Sequence, residues 1–206
     1  MKIEKFVLSP MSTNCYIGIN EESRECFLVD PAAWPLELSS HIRTSELKPR
    51  AVLLTHGHFD HIMGLEQLLE EYDIPVYACG DEKEILESAG LNLSTMMGTG
   101  YTFSDARYVK DGQVLEAAGI EICVIHTPGH TAGGCCYYIE KEGVLFSGDT
   151  LFHASIGRTD FPTGSSSQLV RSVKERLFVL PEETKVYPGH MDETVIGYEK
   201  KYNPFV

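Results

Sequence analysis

Along the chain, apolar positions fall into short runs rich in β-branched and aromatic residues, separated by polar breaks. Ile3 to Leu8, Cys15 to Ile19, Glu25 to Val29, Ala51 to Thr55, Val76 to Cys79, Ile120 to Ile125, Cys135 to Ile139, Val144 to Ser147 and Lys185 to Tyr187 all have strand-like length and composition. Between them the apolar spacing lengthens to a helical rhythm at Leu36 to Thr44, Ile62 to Tyr72, Asp81 to Ser88 and Ser165 to Leu177, and more weakly at Thr194 to Lys200. The expected class is therefore mixed α/β. The first three strands follow one another with only turn-like breaks at Ser9-Pro10 and Asn20 to Ser23, which predicts an antiparallel meander ended by Asp30-Pro31. No low-complexity tract, Gly/Ser linker or internal repeat interrupts the pattern, so residues 1–206 are expected to form a single domain. The loosest stretch is Gly90 to Asp111.

Composition narrows the function classes. The hydrophobic share of 43% and charged share of 23% are those of an ordinary folded domain. No apolar run approaches the roughly 20 residues that cross a bilayer, and Met1-Lys2-Ile3-Glu4-Lys5 lacks the apolar segment of a secretory signal. A cytoplasmic protein with no membrane partner is expected. The net charge of -13 repels phosphate backbones, so nucleic acid is not an expected partner. Six cysteines without C-x-x-C spacing read as reduced, mostly buried apolar residues. The adjacent Cys135 and Cys136, if on a strand, point to opposite faces.

Histidine and aspartate gather at four places, each just after a predicted strand: Thr55 to His61, Thr127 to Thr131, Gly148 to Thr150 and Pro188 to His190. Strand-end loops are where a rigid sheet can bring distant residues to one point. Imidazole and carboxylate together suit zinc, iron or manganese. His56, His58, Asp60, His61, His130, Asp149 and His190 exceed what one ion needs and would serve two closely spaced divalent ions sharing a carboxylate.

These motifs resemble the metallo-β-lactamase superfamily, and within it the hydroxyacylglutathione hydrolase (glyoxalase II) group and its shorter relatives. Thr55-His56-Gly57-His58-Phe59-Asp60-His61 has the pattern T-H-x-H-x-D-H, Thr127-Pro128-Gly129-His130-Thr131 has T-P-G-H-T, and Gly148-Asp149-Thr150 and Pro188-Gly189-His190 follow in order. The resemblance implies a four-layer αββα sandwich. It assigns His56, His58 and His130 to a first metal, Asp60, His61 and His190 to a second, and Asp149 to both. It implies two divalent metal ions, zinc by default with iron or manganese as alternatives. The activity it implies is hydrolysis by a metal-bridging hydroxide, oriented by Asp60, on a small-molecule acyl-thioester. A thiolate with pKa near roughly 8.5 leaves without strong acid assistance.

With only residues 191–206 after His190, the helical glutathione-binding extension of glyoxalase II enzymes is not expected here. Two other readings stay open. One is a persulfide dioxygenase, an oxidoreductase with a single iron held by His56, His130 and Asp149. The other is a lactonase, β-lactamase or other ester hydrolase using the same site. A nucleic-acid hydrolase is disfavoured by charge and a non-catalytic binding module by the intact ligand set.

Outside the seven residues, His41 is expected to be solvated on an amphipathic helix, His126 to support the His130 loop, and His153 to line the cleft. Arg158 and Asp160 read as a loop-bracing ion pair, and Phe161 as a wall of the cleft.

Overall fold

Neighbouring positions on the central strands sort into different cores, and this alternation generates the layers. In the computed structural model, which describes residues 1–98 and 100–206, the elements run β1 (Lys2–Leu8), β2 (Thr13–Ile19), β3 (Glu25–Val29), α1 (Leu36–Thr44), β4 (Lys48–Leu53), α2 (Phe59–Ile62), α3 (Leu65–Glu71), β5 (Val76–Cys79), α4 (Lys83–Leu86), β6 (Ala106–Val109) and β7 (Val114–Ala117). They continue with β8 (Ile120–His126), β9 (Cys135–Ile139), β10 (Val144–Gly148), β11 (Leu151–Phe152), β12 (Ser155–Ile156), α5 (Ser166–Ser172), β13 (Lys185–Pro188), β14 (Thr194–Val195) and α6 (Ile196–Tyr202).

One six-stranded sheet has the order β1-β2-β3-β4-β5-β6 and a second the order β14-β13-β10-β9-β8-β7; β11 and β12 pair separately. Tyr16, Phe27, Leu53, Tyr137 and Phe146 meet in a core between the two sheets. Their strand neighbours Ile17, Leu28 and Val52 instead join Leu38 and Ile42 of α1 and Leu65 and Leu68 of α3. Cys136 and Leu145 join Val173, Leu177 and Ile196 on the far side of the second sheet. Both faces of each sheet are thus covered, and the layers are helix, sheet, sheet, helix, as the resemblance implies. Burial on both faces is also why the central strands read as apolar runs rather than clean alternations. Cys135 and Cys136 lie in different cores, as expected of adjacent strand positions.

The opening meander is antiparallel through β1, β2 and β3. From β3 onward the first sheet is parallel through β6, so β3 and β4 end on the same edge. Several expectations need correction. The helix foreseen over Ile62 to Tyr72 is broken between α2 and α3 at Gly64, where a Cβ would lie 2.5 Å from the Pro31 carbonyl oxygen. Only glycine lets this segment pack on the loop after β3. The stretch foreseen as loosest contains β6, and its loop is held by the Asn92 and Ser94 side chains, both donating to the Tyr101 carbonyl. β11, β12 and β14, of two residues each, are too short to leave a pattern in sequence, and β7 buries only Leu115 and Ala117. The helix from Ser166 continues as a π-helical turn over Val173–Leu177. Among the described residues, no helix is long and apolar enough to cross a membrane.

Candidate metal centre

Five segments bring polar residues to the edge shared by both sheets: the ends of β3, β4, β8, β10 and β13, followed by Asp30, Thr55 to His61, Thr127 to Thr131, Asp149 and Gly189-His190. Backbone and side-chain bonds tie the sheets together there. Asn14 N–H donates to the Gly189 carbonyl (2.7 Å), its side-chain amide donates to the Pro188 carbonyl (2.9 Å), and Cys135 N–H donates to the Thr55 carbonyl (2.9 Å). All seven histidines and aspartates singled out from the sequence converge on this edge.

They form two groups. The ligand atoms of His56, His58 and His130 lie within 4.8 Å of one another, as do those of Asp60, His61 and His190. Asp149 reaches both: one oxygen is 3.6 Å from His130 Nε2 and 3.7 Å from His190 Nε2, the other 3.5 Å from His61 Nε2. His190 Nε2 stands 3.3 Å from Asp60 Oδ2 and 3.4 Å from His61 Nε2. Ligands at about 2.0–2.2 Å from a tetrahedral ion are about 3.3–3.6 Å apart. The spacings are those of a coordination shell rather than of a hydrogen-bond network.

Hydrogen bonds behind the site decide which nitrogen each ring presents. Thr55 donates its hydroxyl to Asp30 Oδ2 (2.6 Å), so His56 Nδ1, 3.1 Å away, must donate to that hydroxyl oxygen, leaving the Nε2 lone pair free. His61 Nδ1 donates to Asp30 Oδ2 (2.9 Å), and His130 Nδ1 donates to the Arg158 carbonyl (2.7 Å), which turns both Nε2 atoms inward. His56 Nε2, His58 Nε2 and Asp149 Oδ1 are buried with no hydrogen-bond partner. Buried polar atoms are rarely left so, and a cation among them removes the conflict. His58 Nδ1 lies 2.9 Å from His130 Nε2. A proton on His58 Nε2 would leave two lone pairs facing each other across this contact, a repulsion that a cation between the two rings removes.

The electrostatics of the two groups differ. Burial, together with the neighbouring imidazoles, holds His56 well below its usual range and His58 down to about 3. Burial opposes charge on His61 too, but the carboxylates of Asp60, Asp30 and Asp149 outweigh it and raise this ring to about 10. Burial likewise works against ionisation of Asp60, yet His61 and His190 keep its carboxyl well below the ordinary carboxylate range.

Two buried acids were missed in the sequence. Asp30 sits at a left-handed φ of 49° and accepts from Thr55 N–H, Thr55 Oγ1 and His61 Nδ1. Both of its oxygens are engaged, so it braces the ligands although it lies close to His56 and His61. Its only signal was its place at the end of a strand, before Pro31. Glu82 accepts from Gly57 N–H (2.9 Å), Gly133 N–H (3.0 Å) and the Thr131 hydroxyl, and so joins the loops that carry His56, His58 and His130.

The remaining expectations divide. Arg158 and Asp160 form a two-pronged ion pair at 2.7 Å, and Phe161 walls a cavity of about 560 Å³ floored by His58, Asp60, His130, Asp149 and His190. His126 donates to the Ala132 carbonyl (3.1 Å), within the His130 loop. His153 does not line this cavity; its ring stacks on Tyr198 at 5.0 Å, and Phe152 takes the wall position. Nor is His41 simply solvated, since it pairs with Glu4 at 2.6 Å and tilts against Phe6.

Residues 8–190 match the family described as the metallo-beta-lactamase superfamily. The chain belongs to that superfamily. Its relatives include the "Probable metallo-hydrolase YqgX" of Bacillus subtilis, 37% identical over all of this chain and 98% of the relative. Another is the hydroxyacylglutathione hydrolase GloC of Haemophilus influenzae, 29% identical over all of this chain and 98% of the relative. Among solved structures, the BLEG-1 B3 metallo-beta-lactamase is 38% identical with a TM-score of 0.93, covering 99% of each chain. TTHA1623 in a di-iron-bound form is 35% identical with a TM-score of 0.85, covering 98% of this chain and all of that one. ETHE1 from Myxococcus xanthus is 29% identical with a TM-score of 0.80, covering 99% of this chain and 84% of that one. Superfamily membership and the His/Asp cluster make this chain a metal-dependent hydrolase in class.

Proposed function

We propose that the protein is a two-metal thioester hydrolase in which His56, His58 and His130 hold one divalent ion, Asp60, His61 and His190 hold the other, and Asp149 is ligand to both. The observation that carries this reading is the position of Asp149, within 3.5–3.7 Å of ligand nitrogens from both groups. When bound, two such ions supply hydroxide near neutral pH and positive charge for an oxyanion. The chain's own residues do the positioning. Asp60, on the cavity floor, accepts a hydrogen bond from Thr13 Oγ1 (3.4 Å) and stays ionised, so it can orient the attacking oxygen toward a carbonyl in the cavity. Phe161 packs edge-on against His58, with ring centres 5.8 Å apart, and limits water beside that ring. A thioester suits this arrangement because its thiolate needs no protonation to depart.

Similarity to the di-iron form of TTHA1623 supports iron as one of the metals, beside zinc and manganese. Similarity to ETHE1 supports a second reading, an iron oxidoreductase on a thiol persulfide with His56, His130 and Asp149 as ligands. The completeness of the Asp60, His61 and His190 group favours the two-metal reading.

The test is metal analysis of freshly purified protein, paired with thioester cleavage and oxygen uptake. Close to two ions per chain with acyl-thiol cleavage is the expected result. A single iron with oxygen consumption on glutathione persulfide replaces it with the second reading.

A further inference from the structure

The cavity above the metal centre has walls unlike its floor. Met11, from the β1–β2 turn, and Met96 and Met97, from the segment before β6, stand at its mouth, 51%, 69% and 45% exposed. Leu93 and Phe161 continue the same wall. Methionine side chains are flexible and polarisable and adapt to apolar groups of varied shape. Three of them exposed around one opening form an apolar surface that a soluble monomer rarely leaves without a use.

Charge points the same way. Among the described residues lining the cavity, Arg158 is the one lysine or arginine. Its guanidinium is already committed to both oxygens of Asp160 at 2.7 Å and lies 4.0 Å over the Phe161 ring. No free cationic side chain therefore waits on the wall for a carboxylate of the substrate. The whole chain carries a net charge of -13, still negative with two divalent ions bound, so attraction for an anion is confined to the ions themselves.

We infer that the thioester accepted here has an apolar acyl chain and an uncharged thiol portion, seated against Met11, Met96 and Met97, and that a thiol portion bearing two carboxylates, such as glutathione, is poorly accepted. This rests on the thioester reading and narrows its substrate class.

The experiment compares kcat/KM for the same acyl group carried on N-acetylcysteamine and on glutathione, with the acyl chain lengthened from acetyl to hexanoyl. The uncharged thioester is expected to be at least tenfold better, with kcat/KM rising about three- to fourfold per added methylene while the wall is being filled. Met97→Lys, which puts a cation at the exposed rim, should lower kcat/KM for the hexanoyl ester and raise it for the glutathione ester, with the metal content unchanged. A tenfold preference for the glutathione ester with no chain-length effect overturns the inference while leaving the thioesterase reading intact. Cleavage of neither ester series by fully metal-loaded protein overturns the thioesterase reading and this inference together.

Discussion

His56 and His58 are surrounded mainly by other imidazoles, whereas His61 stands among Asp30, Asp60 and Asp149. These two rings are buried and held neutral, with the His56 lone pair already aimed inward. The group around His61 is an ion cluster that, without metal, keeps a proton on His61 up to about pH 10. Each side also has its own buried acid. Asp30 bonds a ligand directly, while Glu82 bonds only the loops on which the other ligands stand. The contrast teaches that seven similar residues form two groups with different proton demands: a cation bound at the first would displace no proton from His56 or His58, whereas one bound at the second would have to evict a proton from His61.

The sharpest way to break the comparison is to remove the residue common to both sides. Asp149→Ala is expected to reduce bound metal at both positions and lower hydrolysis by about three orders of magnitude, the scale of losing a central electrostatic element. His190→Ala should instead lower metal content from two ions toward one. Elemental analysis of both variants decides; two tightly held ions in Asp149→Ala would remove the case for a shared ligand.

Acidification should separate the positions without mutation. One proton competes for His61 below about pH 10, and His190, which burial disfavours as a cation but Asp60 and Asp149 raise, adds to the competition, so taking the pH from 8 to 6 should weaken the second position by about 100-fold or more, at least tenfold per unit. His56 and His58, held neutral by burial, should contribute no such dependence in that range. Calorimetric titration of metal-free protein in buffers of different ionisation enthalpy should therefore register at least one proton released on filling the second position, from His61 and in part from His190. Equal proton release at both steps would erase the distinction.

Asp30→Asn tests the direct brace. Its loss should cost about 10–100-fold in affinity at the His61 position, the usual scale for an outer partner of a ligand, and less at the other. Glu82→Gln tests the indirect one and should move stability more than metal affinity. An amide nitrogen placed toward Gly57 N–H or the donors at Thr131 and Gly133 sets donor against donor, a cost of about 1–3 kcal/mol by chemical denaturation. Its pH dependence has a definite sign. Burial raises the Glu82 carboxyl from 4.5 to about 7 against three opposing donors, so the folded state binds the proton more tightly than the unfolded chain. Wild-type stability from this group falls as pH rises through that window, and the gap to Glu82→Gln should narrow from pH 4.5 to 7.

Much of this was legible in sequence, for reasons that differ by element. The seven converging residues could be picked out because they are chemically distinctive residues in tight motifs after strong strand patterns. The layering was available only through resemblance, since a strand buried on both faces has no alternation to report which face meets what. Asp30 and Glu82 escaped because each is a single acid whose role is set by partners far along the chain, Thr55 and His61 for one, Gly57, Thr131 and Gly133 for the other. The break at Gly64 escaped for the same reason, its cause being Pro31 and Ala33. His153 follows Asp149 closely in sequence, but the β11–β12 hairpin turns it toward Tyr198 and away from the cavity.

The Asn14 bridge to Pro188 and Gly189 joins positions 174 and 175 residues apart. During synthesis, His56, His58 and His130 have all been made before β13 exists, whereas the seat of His190 needs a strand from near the start of the chain and one from near its end. The two groups therefore gain their last residue at different points of translation, His130 for the first and His190 for the second, 60 residues later.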